Sequence, residues 1–332
     1  MTLVELPEAK QQAIRREFPR IAEGWIKDYP ALVARCIDKW QLTLGELIRV
    51  GLPINILIYA TGKNDEQTVI KIAPPHPEQL NERIALDHLN ADMMVNLIDY
   101  SVDDGAILLE RILPGRMLRE VILDRDEVRR ATSLLASVPV EIEPTNSDTG
   151  WYKQLPRYQG WMDDAFEKYR AETPTSDFVY YLKIAEVMFE TIQRECKGDF
   201  LLHGDLHHEN ILFDASRGWV AIDPKGVIGP KLMECGRFLH NFMEDELDSI
   251  ENLSDAEIVD LVSILSKRYA LASEVLNVSI GELAKATFVD ITLSACWSFN
   301  AGASEYVKKM AMQRVEATYH FLRSTHQFSS MS

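Results

Sequence analysis

Three polar residues in the second half of the chain, Asp205, Asn210 and Asp223, stand at intervals that suit metal-assisted chemistry on a phosphate. The first two lie in the polar run His203-Gly204-Asp205-Leu206-His207-His208-Glu209-Asn210. The apolar triplet Ile211-Leu212-Phe213 follows, long enough for a short strand. Residues 214–218 read as a turn, because Asp, Ser and Gly accept tight backbone geometry. Trp219-Val220-Ala221-Ile222 is a second β-prone run, so the two runs are expected to pair as a hairpin. Antiparallel pairing brings the residue before the first strand to the residue after the second, so Asn210 and Asp223 should meet at one end. An amide carbonyl beside a carboxylate, with Asp205 one loop away, is a hard-oxygen site of the kind that magnesium shares with substrate phosphates. A polar loop between two buried strands would explain a lone His-Gly-Asp, but not all three residues at these intervals around a hairpin. His203, His207 and His208 form no zinc set, since there is neither a His-Glu-x-x-His nor a pair of close cysteines to complete one. His203 reads as a packing residue that shapes the loop.

The chemistry expected of such a layout is phosphoryl transfer. In protein kinases a catalytic-loop Asp accepts the proton of the attacking hydroxyl, an Asn on the same loop holds one metal, and an Asp after the hairpin holds metal against the phosphates. Asp205, Asn210 and Asp223 match those roles in order and spacing. The phosphates also need a cation to grip them, and Lys71 is the candidate. It sits between Val69, Ile70 and Ile72, where a charge is costly unless an anion accompanies it. Glu82 follows on a segment, 78–90, whose Leu80, Ile84 and Leu86 give it a helical apolar face. A lysine snorkelling at a strand edge is the plainer reading of Lys71 alone; with the later loop present, a strand lysine paired to a helix glutamate is the better one.

These residues must be positioned by two differently built halves. Short β-type runs at 46–50, 54–60, 68–73, 96–102 and 106–111 predict a five-stranded antiparallel sheet, with turns at 61–65 and 103–105. Before them, Ile14, Phe18, Ile21 and Trp25, then Leu32, Cys36 and Trp40, recur at helical intervals and predict two amphipathic helices capping the sheet, with Pro19 and Pro30 limiting their length. At Pro114-Gly115 the β pattern is expected to stop and helices to take over. The organisation expected is a nucleotide-binding lobe over 1–111, a hinge at 112–115 and a helical catalytic lobe over 116–332. Backbone groups near Glu110 and Ile112 would then face the edge of an adenine. Downstream, helices are predicted over 126–138 and 177–193, and from capping boxes at Ser254–Glu257 and Ser279–Glu282. Residues 146–175, rich in Pro, Gly and aromatic side chains, read as an irregular crossing with short helices.

Bulk properties narrow the partners. The 332-residue chain is 46% hydrophobic, enough for a large core, and longer than one compact unit usually takes. A net charge of -16 argues against a nonspecific nucleic-acid surface and suits a cationic small substrate, or simply solubility. Cys36, Cys196, Cys235 and Cys296 are far apart in the sequence, as expected of reduced thiols in a cytoplasmic chain. Neither a signal peptide nor an apolar run long enough for a membrane span is expected.

Taken together these stretches resemble the aminoglycoside/hydroxyurea phosphotransferase family, in its streptomycin 6-kinase branch. The resemblance runs from Gly24-Trp25, Pro30-Ala31-Leu32-Val33 and Trp40-Gln41-Leu42 through Ile107-Leu108-Leu109-Glu110-Arg111 and Pro114-Gly115. It continues over residues 203–212 and 218–226 to Leu293-Ser294-Ala295-Cys296-Trp297. Asp223-Pro224-Lys225-Gly226, where a protein kinase has Asp-Phe-Gly, is its most specific piece. It implies an α+β, protein-kinase-like two-lobe fold, ATP with magnesium, and transfer of the γ-phosphoryl group to a small-molecule hydroxyl. In some relatives of this kind the outcome would be antibiotic or hydroxyurea resistance. Two features depart from the family pattern. The loop Gly51-Leu52-Pro53-Ile54-Asn55 has one glycine where two are common, and Pro53 removes a backbone N–H, so Asn55 would take part of the grip on the triphosphate. Pro230-Lys231 stands where an acidic residue and proline are frequent, while Glu234 and Gly236 keep their places, so that Glu234 would brace the catalytic loop.

A kinase-fold sensor that binds a nucleotide or metabolite without turnover is the rival reading; intact Lys71, Glu82, Asp205, Asn210 and Asp223 weigh against it. A protein kinase is disfavoured, because no Ala-Pro-Glu segment follows Asp223. No pattern identifies the acceptor. The acidic runs Asp163, Asp164, Glu167 and Glu244, Asp245, Glu246, Asp248 read either as the wall of a cleft that draws a cationic acceptor or as solvated helix faces.

Overall fold

A computed structural model describes residues 5–48, 54–121, 124–143, 150–241 and 255–325. The expected sheet is present: β1 (Thr43–Leu47), β2 (Ile56–Thr61), β3 (Gln67–Ile72), β4 (Leu97–Ser101) and β5 (Ala106–Glu110) pair antiparallel in the order β1-β2-β3-β5-β4. β1 begins three residues earlier than its apolar run suggests, because its place is set by pairing with β2, Thr43 opposite Thr61 and Leu44 opposite Ala60. Alternation along the central strands separates two faces. Ile56, Ile58, Ile70, Ile72 and Leu108 pack on Ile14, Tyr29, Leu32, Val33 and Cys36 of α1 (Glu8–Glu17) and α2 (Ala22–Trp40). Lys71, Ile107 and Leu109 lie on the other face of the same strands. Ile107 and Leu109 join a separate core shared with α3 (Pro77–His88) and the rest of the chain.

The helical cap differs from expectation in one respect. Pro19 falls in the turn between α1 and α2, but Pro30 lies inside α2, which continues through it. The buried side chains of Tyr29, Leu32, Val33 and Cys36 anchor α2 on both sides of the proline, and that packing outweighs the lost backbone hydrogen bond.

Helices do not take over directly at Pro114-Gly115. Residues Pro114–Met117 form β6, an edge strand on β9 (Ile211–Asp214), which pairs in turn with β10 (Gly218–Ala221). An edge position tolerates a proline that cannot donate to the ladder. A third small sheet orders β11 (Val227–Gly229), β8 (Phe200–Leu202) and β7 (Val140–Glu141). The predicted helix over 126–138 is split at Ser133 into α4 (Arg125–Thr132) and α5 (Leu134–Ser137). The supposed irregular crossing contains a 15-residue helix, α6 (Tyr158–Glu172). Its aromatic residues are a helical stripe, since Tyr158, Met162, Ala165, Phe166 and Tyr169 are buried at three- and four-residue intervals.

Five further helices complete the larger core: α7 (Phe178–Glu195), α8 (Glu234–His240), α9 (Asp255–Leu276), α10 (Ile280–Asn300) and α11 (Glu305–Ser324). α10 is buried almost all round and touches α6, α7, α8, α9 and α11. Its start carries the expected capping box of Ser279 and Glu282. Ser254 of the other expected capping box lies outside the described residues.

If α1 and α2 are part of the folding unit of the sheet, truncating a residue at their interface should unfold the lobe, not merely fray a terminus. Leu32→Ala should cost about 2 to 5 kcal/mol in urea unfolding. Ile21→Ala, at a position 46% exposed, should change stability by about 0.5 kcal/mol or less.

Candidate active site

The loop after β8 carries Asp205, and its shape follows from satisfying buried backbone groups. The N–H groups of His203 and Gly204 both point at the Glu234 carboxylate, at 2.7 and 3.2 Å, which is the brace expected of that residue. Burial pushes the Glu234 carboxyl up, to about 7, and the two N–H donors act against that shift. The fully buried His203 imidazole accepts the Asp205 N–H at Nδ1, 3.2 Å, and so donates from Nε2 to the Ile222 carbonyl, 2.8 Å. Both ring nitrogens are thus committed with the ring neutral, and burial lowers its pKa to about 4. His203 shapes the loop, as its sequence context suggests. Gly204 has φ +78°, and a Cβ there would meet Val227 at 2.8 Å and the Trp161 ring at 3.0 Å.

The hairpin of β9 and β10 forms as expected, but its register is one residue shorter than the apolar runs suggest. Ala221 pairs with Ile211, and the Ile222 N–H donates to the Asn210 carbonyl at 2.9 Å, so Asn210 lies opposite Ile222 and Asp223 is one residue further on. Asp223 leaves the strand in the left-handed region, φ +59°, a conformation that costs a non-glycine residue free energy and recurs at functional positions. Asn210 donates from Nδ2 to the Asp205 carbonyl, 3.0 Å, tying the two loop residues together.

Lys71 reaches the loop across the interval between the sheet and the larger core. Its ammonium is 2.7 Å from Glu82 Oε1 of α3 and also contacts Asp223 Oδ1. Lys71 and Glu82 are each 5% exposed, so neither charge can be left to solvent. Burial works against the lysine charge, but the Asp223 and Glu82 carboxylates together hold its pKa above the ordinary value. Burial pushes Glu82 up, to about 7, against the pull of Lys71. Burial also opposes ionisation of Asp223, and there Lys71 wins, keeping the carboxyl below its usual range. Lys225, two residues after Asp223, pairs instead with Glu78 of α3 at 3.0 Å.

The other expected site residues are placed less fully. Glu110 ends β5; its N–H is taken by the Asn96 carbonyl and its carboxylate accepts from Arg217 and the Asn96 N–H. Ile112 is buried, and among the described residues its N–H has no protein acceptor. The Asn55 carbonyl accepts from Lys10 at 2.9 Å, while Gly51 to Pro53 of the same loop lie outside the described residues. Asp163, Asp164 and Glu167 are exposed on α6; Glu244, Asp245, Glu246 and Asp248 lie outside the described residues.

One residue at the site escaped the sequence reading. Arg237 of α8 places Nη1 3.1 Å from Asp205 Oδ1, and among the described residues it is the side chain that contacts this carboxylate. Its signal was its place on the same helix, three residues after the brace Glu234.

The sequence pattern of the family described as "Aminoglycoside/hydroxyurea antibiotic resistance kinase" matches residues 55–302. A streptomycin 6-kinase of Streptomyces griseus is 25% identical over 305 residues, covering 90% of this chain and 92% of that protein. A hydroxyurea phosphotransferase of Kitasatospora aureofaciens is 25% identical over 237 residues, 68% of this chain and 65% of that protein. Among solved structures, an ethanolamine kinase of Plasmodium vivax superposes with a TM-score of 0.59 at 15% identity, covering 98% of this chain and 97% of that one, a likeness of fold. Among the described residues no helix is long and apolar enough to cross a membrane. The kinase-like arrangement of sheet, loop and helical core therefore has a sequence counterpart across three quarters of its length, and the chain belongs to the aminoglycoside/hydroxyurea antibiotic resistance kinase family, as a phosphotransferase acting on an alcohol group.

Proposed function

We propose that the chain uses ATP with magnesium to phosphorylate a hydroxyl of an aminoglycoside-like acceptor of the streptomycin type, and so inactivates a drug. The observation that carries this reading is the junction of Lys71, Glu82 and Asp223, a buried cation held between the sheet and the segment that leaves β10, whose Ile222 is hydrogen-bonded to the Asp205 loop at His203 and Asn210. Residues 1–111 form the nucleotide lobe in this reading, 112–115 the hinge and 116–332 the catalytic and acceptor lobe. The Ile112 N–H, which has no protein acceptor among the described residues, and the Glu110 carbonyl would meet the adenine edge, and Asn55 the triphosphate.

The donor set suits magnesium. Asp223 and Asn210 offer hard oxygens, and because Asn210 commits Nδ2 to the Asp205 carbonyl, its Oδ1 is left to a ligand. Magnesium held there would offset the negative charge of the phosphates. The chain's own residues do the rest. Lys71, fixed by Glu82, grips the α and β phosphates. Asp205 orients the acceptor hydroxyl and takes its proton as the oxygen bonds to the γ phosphorus and the bond to ADP breaks. Most of the rate enhancement is positioning, which rigid loop bracing by Glu234 and His203 favours.

The reading is tested by ADP release in the presence of MgATP and streptomycin, with hydroxyurea and choline-like amines alongside; no release with any of them would overturn it. Asp205→Ala should lower turnover roughly 100-fold to 10,000-fold with much less effect on acceptor affinity, as for a lost general base. In calorimetry, Asp223→Ala should abolish metal-dependent nucleotide binding, with a loss of stability of about 3 to 5 kcal/mol because Lys71 is left with one of its two carboxylates, whereas Asn210→Ala, which removes a neutral ligand, should weaken binding less. Unchanged MgATP affinity in Asp223→Ala would sink the metal assignment. A cationic acceptor drawn by the acidic chain should show a kcat/KM that falls as salt is added; a flat profile between low and high salt would remove the charge argument.

A further inference from the structure

Asp290 stands in the most apolar helix of the molecule, between Val289 and Ile291 in the middle of α10, and is 3% exposed. An ionised carboxylate there is tolerated only if its oxygens are fully engaged. They are: Oδ1 accepts from the Tyr158 hydroxyl at 2.6 Å, and Oδ2 from Arg237 Nε at 3.0 Å and His240 Nε2 at 2.6 Å. The His240 tautomer is fixed from its far side, because Nδ1 lies 3.1 Å from an Arg314 guanidinium nitrogen and must accept. The Asp290 carboxyl is held well below its usual range despite burial, chiefly by the Arg237 cation. Helix packing adds a second constraint. A Cβ at Gly236 would come within 2.5 Å of Asp290 Cβ, so α8 is seated directly on α10 at this point.

Arg237 is consequently fixed by one edge, and its Nη1 is the group that meets Asp205 Oδ1. Trp297 of α10 lies beneath the guanidinium, 5.7 Å from ring centre to carbon, and limits its movement on a third side. We propose that Asp290 is a positioning residue for phosphoryl transfer: through Arg237 it fixes Asp205 Oδ1 and leaves Oδ2 for the acceptor hydroxyl. The proposal rests on the reading of Asp205 as the group that receives the hydroxyl proton. A planar guanidinium suits this role, since its rigid fork fixes the angle between the two carboxylates it engages, whereas the donors of an ammonium rotate freely on a flexible stem.

The test is a cycle of Asp290→Asn and Asp205→Asn in the full-length chain, assayed with MgATP and with streptomycin and hydroxyurea as acceptors. Asp290→Asn keeps the side-chain shape and removes the charge that holds Arg237. It should lower kcat roughly 100-fold, with KM for ATP and for the acceptor little changed, as for a displaced reacting group. In the Asp205→Asn background the same substitution should add no further loss. Full kcat in Asp290→Asn, or an equal loss in both backgrounds, would overturn the proposal while leaving the Asp205 reading intact. Near wild-type turnover in Asp205→Asn would instead overturn that reading. If thermal unfolding shows that Asp290→Asn does not fold, Arg237→Lys takes its place in the cycle, keeping the charge and losing the two-edged contact, with the same outcomes expected.

Discussion

The rest of the structure depends on one buried cation. Lys71 projects from the face of β3 opposite the α1–α2 cap, at 5% exposure, and a desolvated ammonium must find anions or lose its charge. One anion is local, Glu82 on α3. The other, Asp223, lies 152 residues beyond Lys71 and belongs to the loop that follows the β9–β10 hairpin. Removing one partner from such a buried set costs about 3 to 5 kcal/mol, because the other is left unpaired. The sheet and the segment that follows the β9–β10 hairpin are therefore tied together by a buried ion pair between residues far apart in the chain.

The loop that bears Asp205 solves a different problem, that of turning sharply in a buried place without orphaned backbone groups. Glu234 answers for two N–H groups and the His203 ring for a third, while Asn210 answers for the Asp205 carbonyl. These partners come from α8 and from both ends of the loop, so the position of Asp205 is set by the core and not by the loop's own propensities. Asp223, at positive φ, is kept in an unfavourable conformation by the same surroundings, with its carboxylate toward Lys71 and its neighbour Ile222 hydrogen-bonded to Asn210 and His203.

Behind the loop, the apolar α10 supplies rigidity. A helix buried on nearly every side by α6, α7, α8, α9 and α11 has little freedom to shift, which makes it a suitable base for a single buried carboxylate. Gly236 permits α8 to sit on it closely enough for Arg237 to span from Asp290 to Asp205. The two ends of that span differ in exposure, one wholly in the core and one at the candidate site, so a rigid planar group joins the packed core to the Asp205 carboxylate.

Much of this could be read from the chain alone, because it depends on short-range pattern. The five strands, α3 with Glu82 and the hairpin between Asn210 and Asp223 follow from alternation, turn chemistry or motif spacing within a few tens of residues, and the Glu234 brace from the family resemblance. Readings failed where neighbours outweigh local signals. Pro30 marks a helix limit in sequence, yet α2 continues, because the sheet beneath holds both sides. Pro114-Gly115 reads as the end of β structure, yet β9 offers it an edge. The aromatic stretch before residue 175 reads as irregular, yet its spacing becomes an α6 stripe once a core exists to receive it. The hairpin register and the Asp205–Arg237–Asp290 span could not be read at all. One residue of slip is decided by which backbone groups find partners, and a contact between residues 205, 237 and 290 exists only after three separate elements have packed. The sequence by itself determined which side chains are the candidates for the chemistry and which elements bear them; the tertiary structure decided how those side chains are aimed, because aim depends on long-range burial and on the pairing that burial compels.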